Sequence, residues 1–510
     1  MNSLTLSSFW VTCAAILGLL YKGWKRRTEG SKLPPGPKGH FIFGNFLQIP
    51  SVAPWLKFNE WSKIYGDVVL LRLPIQTTII LCSTQSAFDL LDKRSNIYSD
   101  RPRSVMEELT TWDFSFAFMP YSLRWRRHRR YFHQYFHQGV IQDYQDIQRH
   151  AVWSFLRGMI DNKGNNPGNE VRNIFSDIII NVMYGINTTG DEYAYLAETS
   201  VRAFSEIHVP GMFWVEYLPS LRHLPGWLPG VQFKKYAQHY KPYIQKMINQ
   251  PFDMVKAALE NGTASPSVTA SLLKEIEEKY HGTPQQAEEE EIAKNVAGLG
   301  YAAAADTTAS AAQVFLIAMA FYPEVQKKAQ AEIETVVGLG RLPDFGDGEH
   351  LPYIRAVMME VLRWKPVVPF DTPHAVMEDD EYRGMFIPKG TIVIANVWNM
   401  LHDPEVFPDP ETFNPSRFLN DGKLDPNILD PSSVAFGFGR RICPGRHLSD
   451  ASLFLTVTSI LHTFDILLDP DFRGNDVEML TGLISAPIAV PCTLKLRSQT
   501  AERLVRNVSD

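Results

Sequence analysis

The chain has 510 residues, 45% of them hydrophobic and 21% charged, an ordinary globular usage that excludes disordered and collagen-like architectures. Fifty basic against 56 acidic residues leave a net charge of −6, which argues against a general nucleic-acid binder, because neutralising phosphates needs clustered lysine and arginine. Four cysteines, Cys13, Cys82, Cys443 and Cys492, are too few and too scattered for a disulfide framework or a cysteine-rich zinc site, and they fit a reducing compartment.

Residues 1–21 carry no charged side chain, and their apolar heart spans 9–20. Some 18–20 helical residues reach roughly 27–30 Å, enough for one bilayer crossing. Lys22, Lys25, Arg26 and Arg27 follow directly and predict that the remainder stays on the cytoplasmic side. A signal peptide would carry positive charge before the apolar run, so the segment reads as a membrane anchor. Residues 22–39 form a basic flank and a hinge, in which Leu33-Pro34-Pro35-Gly36-Pro37 cannot continue a helix. In a cytoplasmic domain the sequons at Asn187, Asn261 and Asn507 stay unused.

Beyond the hinge, a short helix and two strands, 68–73 and 77–81, are expected within 54–95. Helical periodicity dominates 121–335, and the proline-free stretch from about 288 to 322 predicts one long helix ending at Pro323. A second small β region lies near 374–397, followed by an irregular loop over 403–435, a final helix near 447–463 and a closing β segment. With no repeat and no internal linker, 40–500 reads as one mainly α domain with small sheets, and 501–510 as a tail.

One cysteine sits in a distinctive setting, Phe436-Gly437-Phe438-Gly439-Arg440-Arg441-Ile442-Cys443-Pro444-Gly445, just before the final helix. The glycines permit close backbone approach, and a helix N-terminus aims N–H groups at the sulfur and favours the thiolate. A lone thiolate without neighbouring His or Cys cannot build a tetrahedral zinc site, whereas it suffices as the single protein ligand of a haem iron. The plain alternative is a buried structural cysteine, among the most commonly buried residue types.

These ten residues resemble the haem-thiolate loop of the cytochromes P-450, F-x-x-G-x-R-x-C-x-G, whose fixed positions are met by Phe436, Gly439, Arg441, Cys443 and Gly445. The resemblance implies haem b as cofactor, Cys443 as axial iron ligand, Phe436 packed beside the sulfur and Arg441 paired with a haem propionate. Three further motifs stand in the family's order. Ala303-Ala304-Ala305-Asp306-Thr307 is similar to the oxygen-activation motif [A/G]-G-x-[D/E]-T, which implies proton delivery by Asp306 and Thr307; Ala304 stands where the family usually has Gly. Glu360-Val361-Leu362-Arg363, with Arg417 in Phe413-Asn414-Pro415-Ser416-Arg417-Phe418, matches a structural E-x-x-R network. Trp125 and Arg129 form a W-x-x-x-R pair, implied with His374 to hold propionates. The surrounding arginines Arg124, Arg126, Arg127 and Arg130 suit docking of an acidic electron donor.

The resemblance thus implies a cytochrome P-450 fold behind one transmembrane helix, anchored in the endoplasmic reticulum. The implied reaction is insertion of one oxygen atom of O2 into a lipophilic small molecule. Electrons would come from an NADPH-dependent cytochrome P-450 reductase, with cytochrome b5 as a second donor. Pocket segments are expected near 106–120, 204–214, 302–307, 367–372 and 483–486, rich in phenylalanine and suited to a terpenoid, steroid or aromatic substrate. The sequence looks closest to fungal members of secondary metabolism and xenobiotic oxidation. Two alternatives are a haem-thiolate isomerase or dehydratase, and a catalytically silent haem-binding protein; the intact Asp306–Thr307 pair argues against the former.

Overall fold

A computed structural model of the chain describes residues 32–508 other than 42, 74–75, 188–190, 210–211, 229 and 475. The expected anchor at 1–21, with Cys13, and the basic part of the hinge lie outside the described residues. The centre of the fold is the long helix, which Pro284 opens at its first turn and Tyr322-Pro323 closes, each proline standing where a missing N–H does no harm. It runs Pro284–Phe321 and is apolar on nearly every side from Ile292 onward, so it is a core helix. Among the described residues it is the one helix long and apolar enough to cross a membrane, yet 78% of its apolar stretch is buried inside the protein.

In chain order the main elements are α1 Pro54–Tyr65, β1 Val68–Leu73, β2 Gln76–Leu81, α2 Val105–Thr110, α3 Leu123–Phe136, α4 Gln145–Asp161, α5 Pro167–Tyr184, α6 Asp191–Ile207, α7 Phe233–Glu260, α8 Val268–Tyr280 and α9, the long helix. There follow α10 Pro323–Val336, α11 Pro352–Trp364, β3 His374–Ala375, β4 Asp380–Tyr382, β5 Met385–Ile387, β6 Ile392–Ala395, α12 Arg446–Thr463, β7 Phe464–Leu468, β8 Cys492–Leu496 and α13 Gln499–Asn507. Helices α3 and α5 to α8 pack around α9 on one side and α10, α11 and α12 on the other, with α4 against α5 and α12, giving one continuous apolar core.

A four-stranded sheet in the order β1-β2-β6-β3 flanks this core; β1/β2 and β6/β3 are antiparallel and β2/β6 parallel. Its Val, Ile and Leu side chains alternate between two smaller apolar clusters. The proline segment docks along β1, where the Leu70 N–H donates to the Pro35 carbonyl (2.7 Å). Pairing of β7 with β8 forms the closing β segment. The last residues differ from a free tail: α13 begins with Ser498 accepting from the Ala501 N–H, buries Ala501 and Val505, and reaches α4 through Arg506 and Asp161 (3.1 Å). Its amphipathic spacing supplies an apolar stripe that needs a partner, and α4 provides one.

Candidate active site

The loop 436–445 is bent by residues that only glycine tolerates comfortably. Gly439 sits at φ +52°, and a Cβ there would stand 2.3 Å from the Leu91 carbonyl oxygen. The Cys443 N–H donates back to the Phe436 carbonyl (2.8 Å), closing the loop and fixing the cysteine just before α12. Burial pushes the Cys443 thiol up from its ordinary value; the N–H groups of Gly445 and Arg446 and the guanidiniums of Arg129 and Arg446 pull the other way. The helix-end donors expected from sequence are therefore present, but alone they do not outweigh desolvation. A positive centre facing the sulfur would tip the balance to the thiolate.

Around this loop lie three guanidiniums whose donors go to backbone carbonyls. Buried Arg441 donates to Ser99 (2.8 Å), Phe116 (3.3 Å) and Met119 (2.8 Å) and lies 4.3 Å from the Trp125 ring centroid. Buried Arg101 donates to Ala117 (3.0 Å), Thr372 (2.6 Å) and Pro373 (2.8 Å), and half-buried Arg129 to Ile442 (2.6 Å). Burial depresses Arg441 to about 8 and both Arg101 and Arg129 to about 10. Cations so depressed, with no ion pair among the described residues, make a site that favours an anion. Sequence reading missed Arg101; its partners lie 16, 271 and 272 residues away, and no local pattern marks it. His374 has partners other than those expected: its Nδ1 meets the Tyr98 carbonyl (2.6 Å) and its Nε2 meets Asp371 (3.2 Å), both buried beside Arg101.

Above the loop, one face of α9 opens in mid-helix. Ala303 is exposed and Leu299, Ala304 and Thr307 are half-buried, although the helix around them is core. Leu299, Ala303 and Thr307 recur every four residues, so they share one face. Thr307 Oγ1 donates to the Ala303 carbonyl (2.8 Å), leaving its lone pairs on that face. Asp306 points elsewhere: its carboxylate is 3.8 Å from Arg172 on α5, which also pairs with Glu198 on α6 (3.0 Å). Burial raises the Asp306 carboxyl above its ordinary value, Arg172 opposes this and Glu198 adds to it. Thr308 ties α9 to α12 through Ser449 (3.1 Å).

The expected Glu360 network is assembled and buried. Arg363 makes a two-pronged contact with Glu360 (2.7 and 2.9 Å), Arg417 adds a third (3.2 Å), and the Asn414 N–H a fourth (2.8 Å). The remaining Arg363 donors reach the Leu401, Pro410 and Thr412 carbonyls, so α11 is pinned to the irregular loop.

The profile of one family, cytochrome P-450, matches residues 34–490. This chain belongs to the cytochrome P-450 family. It is similar to the cytochrome P-450 monooxygenase COX2 of Coprinopsis cinerea, 39% identical over all of this chain and 98% of that one. The cytochrome P-450 monooxygenase ple1 of Rhodocybe pseudopiperita is 39% identical over 96% and 95% of the two chains. Tryptamine 4-monooxygenase of Psilocybe cyanescens is 35% identical over 95% and 97%. The chain is therefore a mainly helical enzyme of the monooxygenase class. The family binds haem b through a cysteine thiolate, and the donor set here fits that group. The half-buried Cys443 sulfur stands beside Arg129, while Arg101 and Arg441, which form no ion pair among the described residues, supply charge for two carboxylates, and Trp125 an aromatic face.

Proposed function

We propose that the chain is a membrane-anchored monooxygenase that inserts one atom of O2 into a lipophilic small molecule, by hydroxylation or epoxidation. Its electrons come from NADPH through a cytochrome P-450 reductase, with cytochrome b5 as a second donor. The observation that carries this reading is the coincidence of Cys443, three unneutralised arginines and an opened face of α9 within one core. Haem b, when bound, supplies the redox chemistry that reduces O2 and delivers one oxygen atom.

The chain's own groups do the rest. Cys443 would ligate the haem iron, with Phe436, Gly439 and Gly445 shaping its loop; Arg441, Arg129, Trp125 and the unforeseen Arg101 would hold the propionates. His374 acts at one remove, fixing Asp371 beside Arg101. Thr307 presents a hydroxyl on the open face, and Asp306, its chain neighbour, lies 3.8 Å from Arg172, which pairs with half-exposed Glu198; Thr307 and Asp306 are the proton-handling residues of this reading.

On the Cys443 side lies a cleft of about 670 Å³ lined by Arg129, Arg130, His133, His137, Arg446 and His447. It suits an acidic donor protein. Of the arginines expected there, Arg127 is already paired with Glu288 and Glu289 of α9, so Arg124, Arg126 and Arg130 carry the exposed charge. The substrate side is aromatic: Trp112, Phe114, Phe116, Phe118 and Phe204 are buried near α9. A terpenoid, steroid or aromatic polycycle suits such a wall, and the tryptamine-oxidising relative is one with an aromatic substrate by name. The fungal relatives support a role in fungal secondary metabolism or xenobiotic oxidation, and residues 1–21 support single-pass anchoring in the endoplasmic reticulum with the catalytic domain facing the cytoplasm.

NADPH consumption and product formation with added reductase test the reading. Turnover requires reductase and O2 together; product formed without either places the enzyme with the isomerases or dehydratases.

A further inference from the structure

Between Arg101 and the cysteine loop lie two buried side chains, Asp371 and His374. The segment that carries them is fixed along its length. The Asp371 N–H donates to the Ala395 carbonyl at the end of β6 (2.8 Å), and His374 pairs with Val393 of β6 in the sheet. Arg101 grips the two residues between them, donating to the Thr372 (2.6 Å) and Pro373 (2.8 Å) carbonyls. Both ring nitrogens of His374 face acceptors. Nδ1 lies 2.6 Å from the Tyr98 carbonyl, and Nε2 lies 3.2 Å from Asp371 Oδ2. A neutral imidazole has one N–H and so meets only one of these contacts as a donor, and the carbonyl can only accept. Meeting both takes one further proton, on the ring or on the carboxyl, so the buried pair holds a proton between its members. Burial would raise the Asp371 carboxyl, but the His374 ring, Arg101 and the Thr372 N–H (2.7 Å) together hold it below its ordinary value, which places that proton on the ring.

We propose that the Asp371–His374 pair is a proton-holding element beside the propionate cradle, whose charge sets the reduction potential of the bound haem and makes that potential depend on pH. The proposal rests on the haem-thiolate reading. With its proton the pair is neutral overall. Without it the buried carboxylate leaves one net negative charge, which acts strongly in a low-dielectric interior and opposes the arrival of an electron nearby. Position gives the pair its reach. On one side is Arg101, joined to it through the 372 and 373 carbonyls. On the other is the cysteine loop, where a Cβ at Gly437 would stand 3.6 Å from Asp371 Oδ1. The charged groups around Arg101 and the pair have partners of their own. Asp100 accepts from the Tyr121 N–H (2.7 Å), Glu107 pairs with His208 (2.9 Å), and the Tyr98 phenol donates to Asp380 (2.8 Å). Arg441 directs its donors to the Ser99, Phe116 and Met119 carbonyls. Strand β6 is apolar over Ile392–Ala395, and α1 contributes the Trp55 ring against Phe370. Asp371 and His374 are therefore positioning residues that act through Arg101 and the charge of the cradle, not on substrate.

Spectroelectrochemical titration of the haem-loaded, substrate-free full chain from about pH 5.5 to about pH 9, the range over which an imidazole titrates, tests this. In the parent the midpoint potential falls as pH rises, by about 59 mV in total, a tenfold change in the one-electron equilibrium. In Asp371→Asn a neutral amide meets the ring and no further proton is needed, so the potential stays near the parent's acid limit throughout. In His374→Gln the amide donates to a permanent carboxylate, and the potential stays near the parent's alkaline limit. Where His374→Gln does not fold, Asp371→Asn alone decides. A parental potential that does not change with pH overturns the proposal, and so does an Asp371→Asn potential that falls in parallel with the parent's. A parent chain whose reduced, carbon monoxide-bound form lacks the thiolate-type band overturns the haem-thiolate reading itself, and the proposal with it.

Discussion

Arg441, Arg129 and Arg101 cluster around the cysteine loop, Arg129 close enough to act on the Cys443 sulfur, and burial depresses the pKa of all three. Backbone carbonyls and the nearby Asp100 and Asp371 offset only part of the desolvation of these cations, and an anionic partner would offset more. Asp306 poses the opposite problem. Its carboxyl is raised by burial, so folding favours the protonated form. That contribution is full below the ordinary value near pH 4 and is lost as pH rises through the raised folded value. Asp306→Asn therefore raises the melting temperature more at about pH 8 than at about pH 5, while lowering product per NADPH; an equal shift at both pH values contradicts the burial argument. Thr307→Ala removes the hydroxyl from the open face and leaves the helix intact. Peroxide released per NADPH rises while substrate affinity stays within about threefold; unchanged coupling excludes Thr307 from proton handling.

At the scale of elements, α11 is fastened to the loop after β6 by one buried carboxylate serving two guanidiniums and a backbone N–H. Glu360→Ala strands both cations in the interior and costs about 3–5 kcal/mol, a large share of the roughly 5–15 kcal/mol that holds a domain folded. The denaturant midpoint drops accordingly, and the variant purifies with little haem; an unshifted midpoint contradicts a structural role. The individual elements were readable where chemistry is local. Pro284 and Pro323 bracket α9, and Val68–Leu73 and Ile392–Ala395 alternate or run apolar as strands do. What escaped reading was non-local. Glu-x-x-Arg alone looks like any exposed helical pair; the family resemblance supplied Arg417, whereas the Pro410 and Thr412 carbonyls meet Arg363 only in the fold. Arg172 and Glu198 have no motif at all, because they meet Asp306 only when α5, α6 and α9 pack.

At the scale of the whole molecule, the two sides of the core divide the labour. The cleft beside Cys443 is lined with cationic and histidine side chains, whereas the wall formed by Trp112, Phe114, Phe118 and Phe204 is aromatic. The haem loop itself was legible in sequence, since its spacing is set by a short turn and a helix start rather than by tertiary contacts. The cationic cradle was half legible: Arg441 and Arg129 stand in motifs, and Arg101 does not. The central claim is that Cys443, through its thiolate, is the protein's bond to the haem iron, and the reduced, carbon monoxide-bound spectrum tests it most directly. The parent chain shows the thiolate-type band, and Cys443→Ser, with its melting curve retained, loses it; a thiolate-type band that survives in Cys443→Ser contradicts the account.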